Sequence, residues 1–130
     1  MTKLLLETSA YIRMVDGDRR VTAAVAAAGR ACLSVVTLGE ILAGCQPGTR
    51  WEARRATLDD FLRVGGVRVL PMGQATAAAY ARLFNQARQS GRMVPTNDLW
   101  IAATALEYDL TVLTADRHFA ELPVECVFLD

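Results

Sequence analysis

The feature that most constrains the fold is an alternation of short apolar runs with longer stretches of helical period. Five apolar runs are short enough to predict strands, at residues 4–6, 32–36, 67–70, 110–114 and 126–129. The intervening periodicity predicts helices at 8–15, 21–28, 37–45, 51–62, 75–89 and 99–108. Strands separated by helices form βαβ units. The sequence therefore predicts an α/β fold, with a five-stranded parallel sheet and helices on both faces.

Length and composition narrow the class of protein further. A chain of 130 residues fits one domain, so residues 1–130 are expected to form a single domain. Fourteen basic residues balance fourteen acidic ones, which argues against nucleic-acid binding through bulk positive charge. Three cysteines without a CxxC pair, and one histidine, argue against a disulfide framework or a zinc ribbon. No apolar run suits a signal peptide or a membrane span, so a cytoplasmic protein without membrane contact is expected.

Four carboxylates follow the predicted strands or open the helices after them. Glu7 and Asp116 follow strands, and Glu40 and Asp98 lie in first helical turns. In open parallel sheets, ligands bind beyond the carboxyl ends of the strands. Clustered carboxylates raise one another's pKa unless a cation lies among them, and Mg²⁺ accepts such oxygen ligands. The pattern predicts a divalent-cation site that activates water for displacement at phosphorus.

Each acid also has a purely structural interpretation. Glu7 could be a turn residue, and Glu40 could complete a capping box with Thr37. Asp98 could favour the positive end of its helix, and Asp116 could close a turn with its own side chain. The cation site is the interpretation that accounts for all four acids together. A phosphate-accepting receiver domain also has acids at strand ends, but the only lysine, Lys3, is wrongly placed for it.

Four segments carry a resemblance to a known family, and they are LLLETS (4–9), SVVTLGEILAG (34–44), NDLWIAATAL (97–106) and LTADRHF (113–119). In this order and spacing they resemble the PIN-domain ribonucleases, most closely the VapC-type toxins of bacterial toxin–antitoxin modules. The resemblance implies a PIN-like three-layer sandwich, a Mg²⁺ or Mn²⁺ site, and endonucleolytic cleavage of RNA by metal-activated water. It also implies a symmetric homodimer and a cognate VapB-like antitoxin that covers the active cleft, with DNA contacted only through that antitoxin.

Carried over position by position, the resemblance makes four acids catalytic: Glu7, Glu40, Asp98 and Asp116. Three of them would be metal ligands: Glu7, Asp98 and Asp116. Three hydroxyl residues match positions that line the pocket: Thr8, Ser9 and Thr114. For these hydroxyls, helix capping and turn chemistry are the alternative. His118, beside the fourth acid, is expected to be packed or to face solvent.

Glu7 departs from the family pattern, in which the first acid is aspartate. Its carboxylate lies one methylene, about 1.5 Å, further from the backbone. Magnesium demands near-ideal octahedral geometry at about 2.0–2.1 Å, so this displacement matters. An alternative function follows: a catalytically weak PIN module that acts mainly as an antitoxin-binding and autoregulatory partner.

Two predicted helices carry more apolar surface than five short strands can cover. Trp51, Leu58 and Leu62 share one helix, and Tyr80 and Phe84 share another. This excess independently predicts a homodimer, together with a groove for an amphipathic antitoxin helix.

Overall fold

The computed structural model describes residues 2–45 and 50–129, which form one five-stranded sheet and six α-helices. The strands are β1 (Lys3–Leu6), β2 (Arg30–Ser34), β3 (Arg68–Leu70), β4 (Thr111–Thr114) and β5 (Cys126–Phe128). The helices are α1 (Thr8–Val15), α2 (Arg19–Ala27), α3 (Val35–Ala43), α4 (Trp51–Arg63), α5 (Gln74–Gln89) and α6 (Thr96–Tyr108). A short 3₁₀ helix, Arg117–Glu121, lies between β4 and β5.

All strand pairings are parallel, and the order across the sheet is β3-β2-β1-β4-β5. The chain builds outward from β1 through β2 to β3 and then returns to place β4 on the other side of β1. The order of the strands therefore reverses between β1 and β4. Such a reversal opens a crevice at the carboxyl ends of the two strands, where ligands bind in sheets of this type. The predicted parallel α/β sheet is confirmed.

The sheet is buried on both faces, as the alternation of side chains along β1 shows. Leu5 packs in a cluster that includes Leu83 of α5 and Ile101 of α6. Leu6 packs on the opposite face, in a cluster that includes Tyr11 of α1 and Val21 of α2. Successive strand residues point to opposite faces, so a continuous apolar run satisfies both layers. The predicted three-layer arrangement is confirmed.

The junction of β2 and α3 differs from the prediction of a strand to residue 36 and a helix from residue 37. The strand ends at Ser34 and the helix begins at Val35. The Ser34 hydroxyl accepts a hydrogen bond from the backbone N–H of Thr37 at 3.0 Å, which caps the helix two residues earlier than predicted. The helix ends at Ala43 with Gly44 as its C-cap, two residues before the predicted end at residue 45.

The register of the central strands brings distant residues to one edge of the sheet. Leu6 of β1 pairs with Leu113 of β4, and the backbone N–H of Glu7 donates to the Leu113 carbonyl at 3.0 Å. The residues that follow the two strands are therefore neighbours. In the part of the chain that is described, no helix combines the length and the apolar character needed to cross a membrane.

Candidate active site

The four predicted acids lie around the crevice between β1 and β4. Glu7 directly follows β1, Asp116 follows β4, and Asp98 lies in the first turn of α6. Glu40 lies in the second turn of α3 and not in the first, because that helix begins at Val35. The charges of Glu7, Glu40 and Asp116 all act on Asp98, so the four carboxylates share one electrostatic environment.

Glu7 is buried and held by two hydroxyl groups. The Ser9 and Thr114 hydroxyls both donate to Glu7 Oε1, the Thr114 hydroxyl at 2.5 Å. In turn, Ser9 Oγ accepts from the Ala115 backbone N–H at 2.9 Å, and Thr114 Oγ1 accepts from the Asp116 backbone N–H at 2.9 Å. Each hydroxyl has one proton, so both protons are used on Glu7. These hydroxyls hold Glu7 in place and link it to the turn that carries Asp116.

Glu40 is exposed and is oriented by two residues from other elements. The Thr8 hydroxyl donates to Glu40 Oε1 at 2.5 Å, and the Asn97 side chain donates to Oε2 at 3.4 Å. The capping-box interpretation of Glu40 is wrong, because Ser34 caps α3 and Glu40 points toward α1 and α6. Asn97 was not singled out from the sequence, although its place beside Asp98 was an available signal.

Asp98 lies in an environment that disfavours its charged form. It is buried, with 8% of its surface exposed, and its Oδ2 atom has no hydrogen-bond partner among the described residues. Burial raises the pKa of Asp98 to about 6, and the neighbouring charges of Asp116 and Glu7 add to the effect. His118 opposes the increase in the pKa. A buried, unsatisfied carboxylate oxygen is costly unless a cation or proton meets it.

Asp116 and His118 complete a cluster with Asp98. Asp116 Oδ1 accepts from the His118 backbone N–H at 2.9 Å and begins the 3₁₀ helix Arg117–Glu121, so its predicted turn-closing role is confirmed. The same turn folds His118 back, and its Nδ1 lies 3.1 Å from Asp116 Oδ1 and 3.4 Å from Asp98 Oδ2. The imidazole is half-exposed, in partial agreement with the prediction that it packs or faces solvent. Its contact with both acids was not predicted.

The donor set fits a divalent cation. One ligand atom each from Asp98, Asp116 and His118 lie within 4.8 Å of one another, and Glu7 and Glu40 are outside this described group of three. Asp98 Oδ2 accepts no hydrogen bond among the described residues and lies 3.4 Å from His118 Nδ1, so a bound cation would stabilise its charge. Carboxylate oxygens are the ligands of Mg²⁺ and Mn²⁺, and imidazole nitrogen is accepted by the transition ions.

A cavity of about 490 Å³ adjoins Glu40. Thr8 and Glu40 line one end, and the side chains of α1, α3 and α4 continue it away from the sheet edge. Its wall includes the exposed apolar residues Ile12 and Val15 and the cationic residue Arg54. The acidic crevice therefore continues into a partly apolar cleft.

Comparisons with known proteins agree with the fold. The PIN-domain family model matches residues 4–125. Ribonuclease VapC5 of Mycobacterium tuberculosis is 35% identical over 118 residues, which cover 91% of this chain and 86% of that protein.

Solved structures match over nearly the full length. VapBC-5 from Mycobacterium tuberculosis, a member of the VapBC family of toxin–antitoxin systems, matches at 33% identity with a TM-score of 0.79. That match covers 99% of this chain and 100% of the other. VapBC2 from Rickettsia felis, bound to a promoter DNA fragment, has a TM-score of 0.86 at 19% identity, covering 99% and 100%. At that identity, the second match concerns the fold alone.

Proposed function

The chain belongs to the PIN-domain family, and from this we infer that it is a metal-dependent endoribonuclease toxin of a toxin–antitoxin module. The 35% identical relative VapC5 is a ribonuclease, and the 33% identical VapBC-5 is a member of a toxin–antitoxin family. The observation that carries the proposal is that the charges of Glu7, Glu40 and Asp116 all act on Asp98, whose buried Oδ2 accepts no hydrogen bond among the described residues. Residues 1–130 then act as a single PIN domain.

The proposed cofactor is Mg²⁺ or Mn²⁺, held by Asp98 and Asp116 with Glu7 as the third carboxylate. Support comes from the perturbed Asp98, since a divalent cation would offset the mutual repulsion of these charges. When bound, such a cation polarises a phosphate oxygen and lowers the pKa of water. This is the chemistry that phosphodiester hydrolysis requires.

Residues of the chain position the groups that take part in hydrolysis. Hydrolysis forms a bond from a water oxygen to phosphorus and breaks a phosphorus–oxygen bond of the RNA. The attacking water gives up a proton, and the leaving oxygen takes up a proton from solvent. Glu40 is the proposed acceptor of the water's proton, because it is exposed at the crevice and oriented by Thr8 and Asn97. Ser9 and Thr114 are positioning residues that hold Glu7.

The proposed partners are RNA as substrate, a cognate VapB-like antitoxin and a second copy of the chain. The cleft beside Glu40 supports the antitoxin, since its apolar wall at Ile12 and Val15 is exposed. Exposed apolar residues of α4 and α5, Trp51 and Phe84, support the homodimer, whereas Leu58, which was predicted to belong to the same excess surface, is buried in the core. DNA is contacted through the antitoxin.

Cleavage of a labelled RNA tests the proposal. We expect cleavage by the full chain in Mg²⁺ or Mn²⁺, none in chelator, and none by Asp98→Asn with an unchanged far-UV spectrum. Undiminished cleavage in chelator would exclude the metal mechanism, and cleavage by Asp98→Asn at the parent rate would exclude the site.

The alternative function is a catalytically weak antitoxin-binding module. It is favoured by Glu7, because two hydroxyl groups donate to its Oε1 atom. It predicts antitoxin binding without cleavage in either metal.

A further inference from the structure

The geometry points to His118 as a nitrogen ligand of the proposed metal site, so that the site selects Mn²⁺ over Mg²⁺. This inference rests on the proposed function, because it concerns the same cation. It adds a residue that the acidic motif does not contain. The site would then contain both nitrogen and oxygen ligands instead of oxygen ligands alone.

The distances match those between adjacent ligands of one ion. With metal–ligand distances of about 2.1 Å, neighbouring corners of an octahedron lie roughly 3.0 Å apart. His118 Nδ1 lies 3.1 Å from Asp116 Oδ1 and 3.4 Å from Asp98 Oδ2. A cation could therefore contact these three atoms after only small side-chain movements.

The backbone, and not the ion pair alone, sets the position of the imidazole. Asp116 begins the 3₁₀ helix and accepts the His118 backbone N–H, so the two ligands belong to one turn. Phe119, the next residue, is fully buried and anchors that turn in the core. Because the turn is held at both points, His118 faces the acids before any metal arrives.

The position of Glu7 leaves a place for the nitrogen. Both of its described hydroxyl contacts converge on Oε1, and Glu7 is outside the group formed by Asp98, Asp116 and His118. The third group in that cluster is thus an imidazole, which would bind the cation in addition to Glu7 and not in its place. Imidazole suits the transition ions from iron to zinc best; Mn²⁺ prefers oxygen ligands but accepts an imidazole nitrogen more readily than Mg²⁺, which retains oxygen ligands and waters.

Calorimetric titration of Mn²⁺ and of Mg²⁺ into the full chain and into His118→Ala and His118→Gln tests the inference. Loss of a partner that only orients a metal ligand costs roughly 10–100-fold in affinity, so loss of a ligand should weaken Mn²⁺ binding at least about tenfold. Mg²⁺ binding should weaken by a smaller factor. Unchanged or tighter Mn²⁺ binding in both variants would overturn the inference, since that is the result expected of a simple counterion.

Arg117→Gln is the matched control, because it removes a positive charge from the same turn but leaves the imidazole. Arg117 lies over the Phe128 ring at 4.6 Å and is not a proposed ligand. We expect its Mn²⁺-to-Mg²⁺ affinity ratio to equal that of the parent. The same loss of Mn²⁺ preference in Arg117→Gln would show that charge, and not ligation, sets the preference, and would overturn the inference.

The unaltered protein offers a second test, because His118 is the single histidine of the chain. In a sample labelled with ¹⁵N at histidine, Zn²⁺ should shift the Nδ1 resonance strongly and Nε2 weakly. Equal small shifts at both nitrogens would contradict ligation through Nδ1.

Asp98→Asn distinguishes failure of the proposed metal site from failure of the added ligand. Mn²⁺ binding that survives this change would contradict the metal site itself, whereas the results for His118 affect only the imidazole ligand.

Discussion

The Thr114 hydroxyl donates to Glu7 Oε1 at 2.5 Å across 107 positions of sequence. The Thr114 hydroxyl oxygen in turn accepts a hydrogen bond from the Asp116 backbone N–H at 2.9 Å. One fully buried side chain thus links the acid that follows β1 to the acid that follows β4. The two ends of the proposed site are therefore mechanically coupled.

Thr114→Val should destabilise the protein and impair RNA cleavage. Valine keeps the shape but leaves the Asp116 N–H and a buried Glu7 oxygen short of a partner, which costs about 1–3 kcal/mol. Thr114→Ser keeps the hydroxyl and loses about 1 kcal/mol for one buried methyl group. Urea unfolding and cleavage rates measure both effects. Equal cleavage rates for the valine and serine variants would refute the coupling.

Asp98→Asn should stabilise the metal-free protein at pH 7. Burial and neighbouring acids raise the pKa of Asp98 from 3.8 to about 6, which corresponds to about 3 kcal/mol between the two protonation states. Asparagine removes the charge, so we expect a gain of about 1–3 kcal/mol in the free energy of unfolding. Saturating Mn²⁺ should reverse the order, because it stabilises the form that binds it. A stability loss in metal-free buffer would instead favour the helix-dipole interpretation of Asp98.

The stability difference between the parent and Asp98→Asn should depend on pH. Because the folded-state pKa of Asp98 is raised, the folded protein holds more protons than the unfolded chain between about pH 4 and pH 6. The stability associated with protonated Asp98 is therefore complete below about pH 4 and is lost as the pH rises through about 6. Chemical unfolding of both proteins across this window measures the difference. A difference that stays constant from pH 4 to pH 7 would contradict the raised pKa.

Thr8→Val should slow cleavage without unfolding the protein. The lost bond from the Thr8 hydroxyl to Glu40 lies at an exposed site, so its contribution to stability is at most about 1 kcal/mol. A misplaced Glu40 can lower the rate by up to about 100-fold. Thr8→Ser keeps the hydroxyl and is the control. Single-turnover cleavage rates and thermal unfolding distinguish the outcomes, and a full parent rate in Thr8→Val would remove Thr8 as a positioning residue.

Much of the fold and the location of the site could be predicted from the sequence. The apolar run at residues 4–6 predicts a central strand because Leu5 and Leu6 need buried surfaces on opposite faces. The acids that follow such strands must then meet, since the ends of parallel strands share one edge. The positions of Glu7 and Asp116 after strands, and of Asp98 in the first turn of α6, could be predicted because each depends only on the element that carries it.

The contacts of those acids were decided by the tertiary structure. Glu40 fits a local capping box in sequence, but the rotation of α3 turns it to Thr8 and Asn97, 32 and 57 positions away. His118 is a lone histidine in sequence, and only the 3₁₀ turn started by Asp116 brings its nitrogen to Asp98. The alternation of buried and exposed positions within a helix or strand is a local property, because it depends on the residues of that segment alone. Side-chain contact between segments depends on how helices and turns are rotated when the core packs, and that is a property of the whole chain.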